Sequence, residues 1–165
     1  MTRSWISLAA LLALSGSAAA KDAVEVDLVR VDKSDRTLTL YAQGRLVRTY
    51  SSIQLGDEPI GAKRFQGDER TPEGRYTIDY GNSGSGYHLS LHISYPNSAD
   101  RAFARAQGHL PGGDIFIHGQ PNGFASFGAA RVEGDWTDGC IALGDTEIEE
   151  LWSLVGDGTV IEIAP

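Results

Sequence analysis

One cysteine and one histidine in this chain sit in settings that suit chemistry. Cys140 is the single cysteine of the sequence, and it follows Gly139 in the run Asp135-Trp136-Thr137-Asp138-Gly139-Cys140-Ile141-Ala142-Leu143. His118 precedes Gly119 at the end of Asp114-Ile115-Phe116-Ile117-His118-Gly119. A thiol has a pKa of about 8.5, so it needs a base to act as a nucleophile at neutral pH. An imidazole close by can take that proton. Gly119 lets another chain approach the ring, and Gly139 permits a sharp turn that pushes Cys140 forward. That turn would expose the N–H groups of Gly139 and Cys140, the two donors that an oxyanion hole requires. The chemistry these parts suggest is acyl transfer through a thioester. A zinc site on His118, Asp138 and Cys140 is the competing reading; no C-x-x-C or H-x-x-x-H spacing supports it. A buried apolar cysteine or an intermolecular disulfide are the bland alternatives. His88, His92 and His109 read as structural or exposed residues.

The elements that must position this pair read mainly as β. Val24 to Val31, Thr37 to Ala42 and Arg45 to Leu55 form a strand and a hairpin, with Gln43-Gly44 as its turn. Gly56 to Gly74 is a long polar loop, with a short strand expected near Ala62 to Phe65. Arg75 to Tyr80 and Tyr87 to Tyr95 are further strands, the second carrying Leu89, Leu91 and Ile93 on one face and His88 and His92 on the other. Asn97 to Gln107 reads as a short helix capped by Asn97 or Ser98, with Ala99, Ala102, Phe103 and Ala106 on one side. Asp114 to Ile117 is a strand that ends at His118. Gln120 to Arg131 is a glycine-rich loop in which Phe124 and Phe127 could cover a groove. Thr146 to Val155 is an amphipathic helix whose stripe is Ile148, Leu151, Trp152 and Val155, with Thr146 and Glu149 at capping-box spacing. Thr159 to Ile163 closes the chain as a strand.

Residues 1–20 read as a signal peptide: Arg3, an apolar stretch from Trp5 to Leu14, then Ala18-Ala19-Ala20 as the cleavage site. The stretch is too short to span a bilayer as a stable helix. Residues 21–165 are then one exported domain, with no membrane span after signal removal and no cysteine near the cleavage point to carry a lipid. The full chain has 165 residues and a formal charge of −8; loss of Arg3 leaves 13 basic and 22 acidic side chains. That balance excludes nucleic acid and anionic lipid as main partners. The 20 glycines and 6 prolines, with Val, Ile, Thr and Tyr in the apolar runs, are the composition of a β-rich domain.

His118-Gly119, a glycine-rich loop, and then Thr137-Asp138-Gly139-Cys140-Ile141 resemble the catalytic signature of the L,D-transpeptidase (YkuD-type) family. The stretch Thr71-Pro72-Glu73-Gly74-Arg75-Tyr76 is similar to the family's Thr-Pro-x-Gly-aromatic turn. The resemblance covers essentially the whole mature chain. It implies a β-rich α+β fold, a curled mixed β-sandwich with one or two short helices. It implies that Cys140 attacks the third residue of a peptidoglycan tetrapeptide stem, that D-alanine leaves, and that an amine resolves the thioester as a 3→3 cross-link. Some relatives instead attach the lysine of an outer-membrane lipoprotein, and others pass the thioester to water. By analogy His118 is the general base and then acid, the Gly139 and Cys140 N–H groups hold the oxyanion, and a backbone carbonyl orients His118. No metal or cofactor is implied, and a periplasmic location is. Asp138 stands where many members carry a second histidine, and its carboxylate would raise the thiol pKa. His118 and Cys140 lie 22 positions apart, toward the long side of the family's spacing.

No separate peptidoglycan-binding module is expected, so the domain's own loops must hold the stem. Arg70 and Thr71 on the long loop, with Gly119, Trp136, Thr137 and Asp138 around the pair, are the candidate substrate contacts. A hydrolase on the same fold (a carboxypeptidase or amidase, including one releasing a bound lipoprotein) fits the same residues. So does a wall-binding protein with a degenerate site, although both reactive groups and both glycines are present.

Overall fold

The structure, a computed structural model, describes residues 25–124 and 131–165. The expected signal peptide and Phe127 lie outside the described residues. The described chain forms strands β1 (Leu28–Asp32), β2 (Thr37–Ala42), β3 (Arg45–Ser51), β4 (Gly74–Asn82) and β5 (Ser90–Ile93). Then follow helix α1 (Ser98–Ala106), strands β6 (Ile115–His118) and β7 (Ile141–Ala142), helix α2 (Asp145–Leu154) and strand β8 (Val160–Ala164).

The eight strands of the described residues join in the order β3-β2-β1-β8-β4-β5-β6-β7. The β1–β8 and β6–β7 pairs are parallel and the others antiparallel. Strand alternation explains the core. Val29 faces Leu40 and Ile161, and Val31 faces Leu38 and Ile163, so one face of three strands buries a continuous row of branched side chains. Each such burial contributes about 1.5–3 kcal/mol. The sheet also curls until its ends meet. Beyond β3, Gln54 exchanges both backbone hydrogen bonds with Ala142 of β7 (2.9 and 2.8 Å). The result is the curled mixed sheet with two helices that the resemblance implied.

Several local expectations shift. β1 begins at Leu28 and β3 stops at Ser51, where Ser52 turns into the left-handed region (φ +60°). No strand forms at Ala62 to Phe65; Asp68 instead ties that segment into turns, accepting from the N–H groups of Arg64 and Phe65 (2.6 and 2.9 Å). β5 is shortened to Ser90–Ile93 because His88 also takes positive φ (+65°), so His88 leaves the strand face and meets Glu149. Helix α1 is capped as expected: the Ala99 and Asp100 N–H groups donate to Asn97 Oδ1 (2.8 and 3.1 Å). Its inward residue is Ala104, however, and Phe103 faces outward against Phe65. At the start of α2 the Gly144 N–H donates to the Glu147 carboxylate (2.9 Å), two residues earlier than the Thr146–Glu149 spacing suggested.

Candidate active site

The outer face of β4, β5 and β6 is the floor of the site. His118 and Phe116 alternate with the core residues Ile115 and Ile117, so both point away from the core side. His118 is held tightly: its Nδ1 lies 2.7 Å from the Gly119 carbonyl. A carbonyl only accepts, so Nδ1 carries the proton and Nε2 of the neutral ring is left as the base. Tyr87 and Trp136 flank the imidazole, with ring centroids 4.6 and 5.5 Å away.

Cys140 reaches the same place on a turn held by the Asp135 and Thr137 side chains and by close backbone contacts. Asp135 opens it, accepting from the Leu55 N–H (2.8 Å) and from Arg36 Nη2 (2.5 Å). Thr137 closes it: its hydroxyl donates to the Cys140 carbonyl (2.8 Å) and accepts from the Gly139 N–H (3.2 Å). Gly139 sits at φ +126°, and a Cβ there would lie 2.4 Å from the Arg70 carbonyl oxygen. Across the same junction, a Cβ on Gly56 would lie 2.1 Å from the Glu69 carbonyl oxygen. Three backbone segments therefore meet with no room for side chains, which is why the long loop runs beneath the cysteine. Lys63, buried in that loop, donates to Asp68 Oδ1 (2.9 Å) and reaches the Asp138 carbonyl (3.5 Å).

The Phe116 N–H donates to Cys140 Sγ (3.4 Å), and the thiol donates to the Asp114 carbonyl (3.7 Å). Burial pushes the Cys140 thiol up to about 11; the Phe116 N–H and the Lys63 ammonium pull the other way, while the Asp138 and Asp114 carboxylates add to the rise. Burial also lowers the His118 pKa, against the opposing effect of the Gly119 carbonyl. Both groups are thus neutral at rest, a thiol and an imidazole unprotonated at Nε2 that line the same cavities.

Cys140, His118, Trp136, Thr137 and Asp138 line one cavity of about 340 Å³, with Tyr87 at its edge. A second cavity of about 290 Å³ shares Cys140, His118 and Tyr87 and runs toward Ser90 and Asn82. A third, of about 640 Å³, adjoins the first at Asp114 and Asp138 and extends to Lys63 and Leu110. The structure does not bring the other sequence candidates to these walls. Thr71 is fully buried, its hydroxyl accepting from the Gly56 N–H (3.1 Å). The Arg70 side chain turns back toward Gly61, and the Arg70 carbonyl packs against Gly139. Gly119 lies under α2, where a Cβ would meet Asp145 and Ile148, and contributes its carbonyl to His118 instead. In this arrangement the Thr71 hydroxyl and the Arg70 and Gly119 carbonyls serve the framework around the pair.

Tyr87, Asp114 and Phe116 also line these cavities and were not among the expected site residues. The last two stand in the same phrase as His118 and follow from strand alternation; Tyr87 is brought over the ring by the glycine-serine turn at residues 82–86, whose sequence marks a turn but not where it leads. His92 pairs with Asp79 (2.6 Å), and His109 stacks on Phe65. Among the described residues no group of three or more His, Cys, Asp or Glu side chains is arranged to hold a metal ion. No helix among them is long and apolar enough to cross a membrane.

The family model described as the L,D-transpeptidase catalytic domain, YkuD, matches residues 27–163. YafK of Escherichia coli (strain K12) is 27% identical over 133 residues, which are 77% of this chain and 46% of YafK. Among solved structures, the helical cell shape determining protein Pgp2 from Campylobacter jejuni superposes with a TM-score of 0.65 at 28% identity, over 84% of this chain and 47% of Pgp2. The L,D-transpeptidase from Mycobacterium smegmatis matches with a TM-score of 0.54 at 16% identity, over 86% of this chain and 59% of that one, a likeness of fold alone. The chain spans about half the length of YafK and of Pgp2.

Proposed function

The chain belongs to the YkuD family of L,D-transpeptidase catalytic domains, and on that premise we propose that it is an exported peptidoglycan L,D-transpeptidase in which Cys140 is the nucleophile and His118 its base. The observation that carries this reading is the Nδ1–Gly119 hydrogen bond of 2.7 Å, which fixes the imidazole as a base on Nε2 in a cavity shared with a half-buried thiol. Sγ attacks the carbonyl carbon of the third residue of a tetrapeptide stem, and its proton passes to His118 Nε2. The C–N bond to D-alanine then breaks, and the imidazolium protonates the departing amine. A thioester on Cys140 remains. An acceptor amine attacks it, gives its proton to His118, forms the new C–N bond and releases the thiol.

The oxyanion needs donors at the turn. The Gly139 N–H is engaged by Thr137 Oγ1 at rest, whereas none of the hydrogen bonds among the described residues uses the Cys140 N–H. The Cys140 N–H is therefore the first oxyanion donor, and the Gly139 N–H joins it by exchanging the Thr137 hydroxyl for substrate. Trp136, Thr137 and Asp138 line the wall against which the stem would lie. The acceptor is a stem amine or a lipoprotein lysine, and the working location is the periplasm.

Product analysis tests this. The protein and its Cys140→Ala variant are incubated with tetrapeptide muropeptides and a free D-amino acid, and products are read by mass spectrometry. Cross-linked dimers or exchanged D-amino acid, absent with the variant, are expected. Tripeptide alone would make water the acceptor and the protein a hydrolase. Equal products from both proteins would remove Cys140 from the chemistry.

A further inference from the structure

The sheet face that carries His118 continues away from the catalytic pair as a row of aromatic side chains, and the proposed function leaves it unused. Tyr80 of β4 pairs with His92 of β5, and His92 pairs with Phe116 of β6. Ile117 pairs with Ile141, so the same register places Phe116 beside Cys140. One cross-strand row therefore runs Cys140, Phe116, His92, Tyr80. The Tyr80 and His92 rings stack at 4.6 Å with their planes 16° apart, and Phe116 stands edge-on to His92 at 4.9 Å. The outer face of Tyr80 is open, since the residue is 44% exposed. Asp79 and His92 bond through Oδ1 and Nδ1, which leaves the second carboxylate oxygen and the other ring nitrogen for ligand at the rim. The row joins the site directly: Phe116, Ser90 and Asn82 line the same cavity as Cys140.

We infer that this row is a glycan subsite, which seats the N-acetylated sugar of the donor strand while its stem peptide lies at Cys140. The inference rests on the reading of Cys140 as the acceptor of an acyl group from a peptidoglycan stem. A pyranose ring presents an apolar C–H face and a polar edge. An open aromatic face with a carboxylate and an imidazole at its border matches both. Three stem residues, about 10 Å when extended, separate the attacked carbonyl from the sugar. That length covers about two strand spacings from Cys140, so a stem running across the strands ends over His92. The Tyr80 ring leans back over this point, stacked on His92 and 6.1 Å from the Phe116 ring. The carboxylate at Asp79 disfavours an anionic occupant such as nucleic acid.

The test uses the full chain and two measurements. In the first, kcat/KM is compared for a disaccharide-tetrapeptide donor and the sugar-free tetrapeptide, with a sugar-free acceptor. The sugar-bearing donor is expected to be favoured about five- to ten-fold, as an aromatic contact of this kind allows. Tyr80→Ala should bring that ratio toward one, and Tyr80→Phe should keep it. A ratio of one in the wild type, with both donors turned over, would overturn the glycan subsite and leave the proposed function standing. A preference that follows sugar on the acceptor would overturn the assignment to the donor. In the second, Cys140→Ala protein is titrated with the peptide-free disaccharide of N-acetylglucosamine and N-acetylmuramic acid, its lactyl carboxyl capped as the amide so that the probe is neutral, and followed by NMR. Shifts at the Tyr80, His92 and Phe116 rings, lost in Tyr80→Ala, are expected. Their absence, or shifts confined elsewhere, would overturn the subsite even if neither donor were turned over.

Discussion

Burial acts on Cys140 and His118 in opposite directions and with one consequence. The thiol is raised to about 11 and the imidazole is lowered, so each keeps its neutral form. The resting pair is thiol and imidazole, and the proton moves only as Sγ attacks. Cys140 should therefore be alkylated by iodoacetamide at a rate that climbs through neutral pH and levels off only near pH 11. A plateau below pH 7 would show a preformed thiolate–imidazolium pair and contradict this account. The same shifts set a stability window. Because the folded state holds the Cys140 proton more tightly than the unfolded chain, its contribution is complete below an ordinary value of 9.0 and is lost as pH rises toward about 11. Because the folded state disfavours protonated His118, that contribution is complete above an ordinary value of 6.5 and is lost as pH falls through the lowered value. The urea midpoint should be highest between these two pH values.

At the scale of elements, the long loop over residues 56–73 decides whether the turn that carries Cys140 holds its shape. Its Glu69 and Arg70 carbonyls press on Gly56 and Gly139. The loop is itself anchored from the far side by Lys33, in the β1–β2 turn. The buried Lys33 ammonium donates to the Gly61 carbonyl (2.6 Å), the Thr71 carbonyl (3.4 Å) and Glu73 Oε1 (2.7 Å). Lys33→Met would strand all three acceptors, at a cost of about 2–4 kcal/mol. A thermal melt should show the midpoint down by about 10 °C, with kcat reduced at temperatures where the variant is folded. Adding Glu73→Gln should restore part of the loss, because the orphaned charge goes with it. An unchanged midpoint would mean that the loop is held by other contacts.

At the scale of the molecule, closure of the sheet brings distant segments to one point. The turn that carries Cys140 hangs between β7 and residues 54–56, and Gln54 and Gln120 lock it from below. Gln54 Nε2 donates to the Val132 carbonyl (2.6 Å), and Gln120 Nε2 donates to the Leu143 carbonyl (2.7 Å). Much of this was legible in the sequence. Alternation at Leu38 and Leu40, the Gln43-Gly44 turn and the Asn97 cap are local signals, and local geometry obeyed them. Cys140 and His118 stood out as a candidate pair because a lone thiol and an imidazole each stand beside a glycine, while type and spacing alone left a zinc site open as well. What was not legible depends on long-range pairing. Nothing in Val160 to Ala164 says that it inserts between β1 and β4, and nothing near Gln54 says that it meets Ala142. Arg70 and Thr71 looked like binding residues because the loop is polar; the fold buries the Thr71 hydroxyl on the Gly56 N–H and packs the Arg70 carbonyl against Gly139. The aromatic row escaped notice because the register shift between Ile78 and Tyr80 puts Tyr80 on the His92 face, out of phase with simple alternation.

The most direct measurement of the central claim is the intact mass of the protein quenched in acid during turnover of a tetrapeptide stem without acceptor amine. The account predicts a species heavier by the tripeptide acyl group, carried as a thioester on the peptide that contains Cys140 and missing from Cys140→Ala. Consumption of the tetrapeptide with no adduct on that peptide, or undiminished turnover by Cys140→Ala, would contradict it.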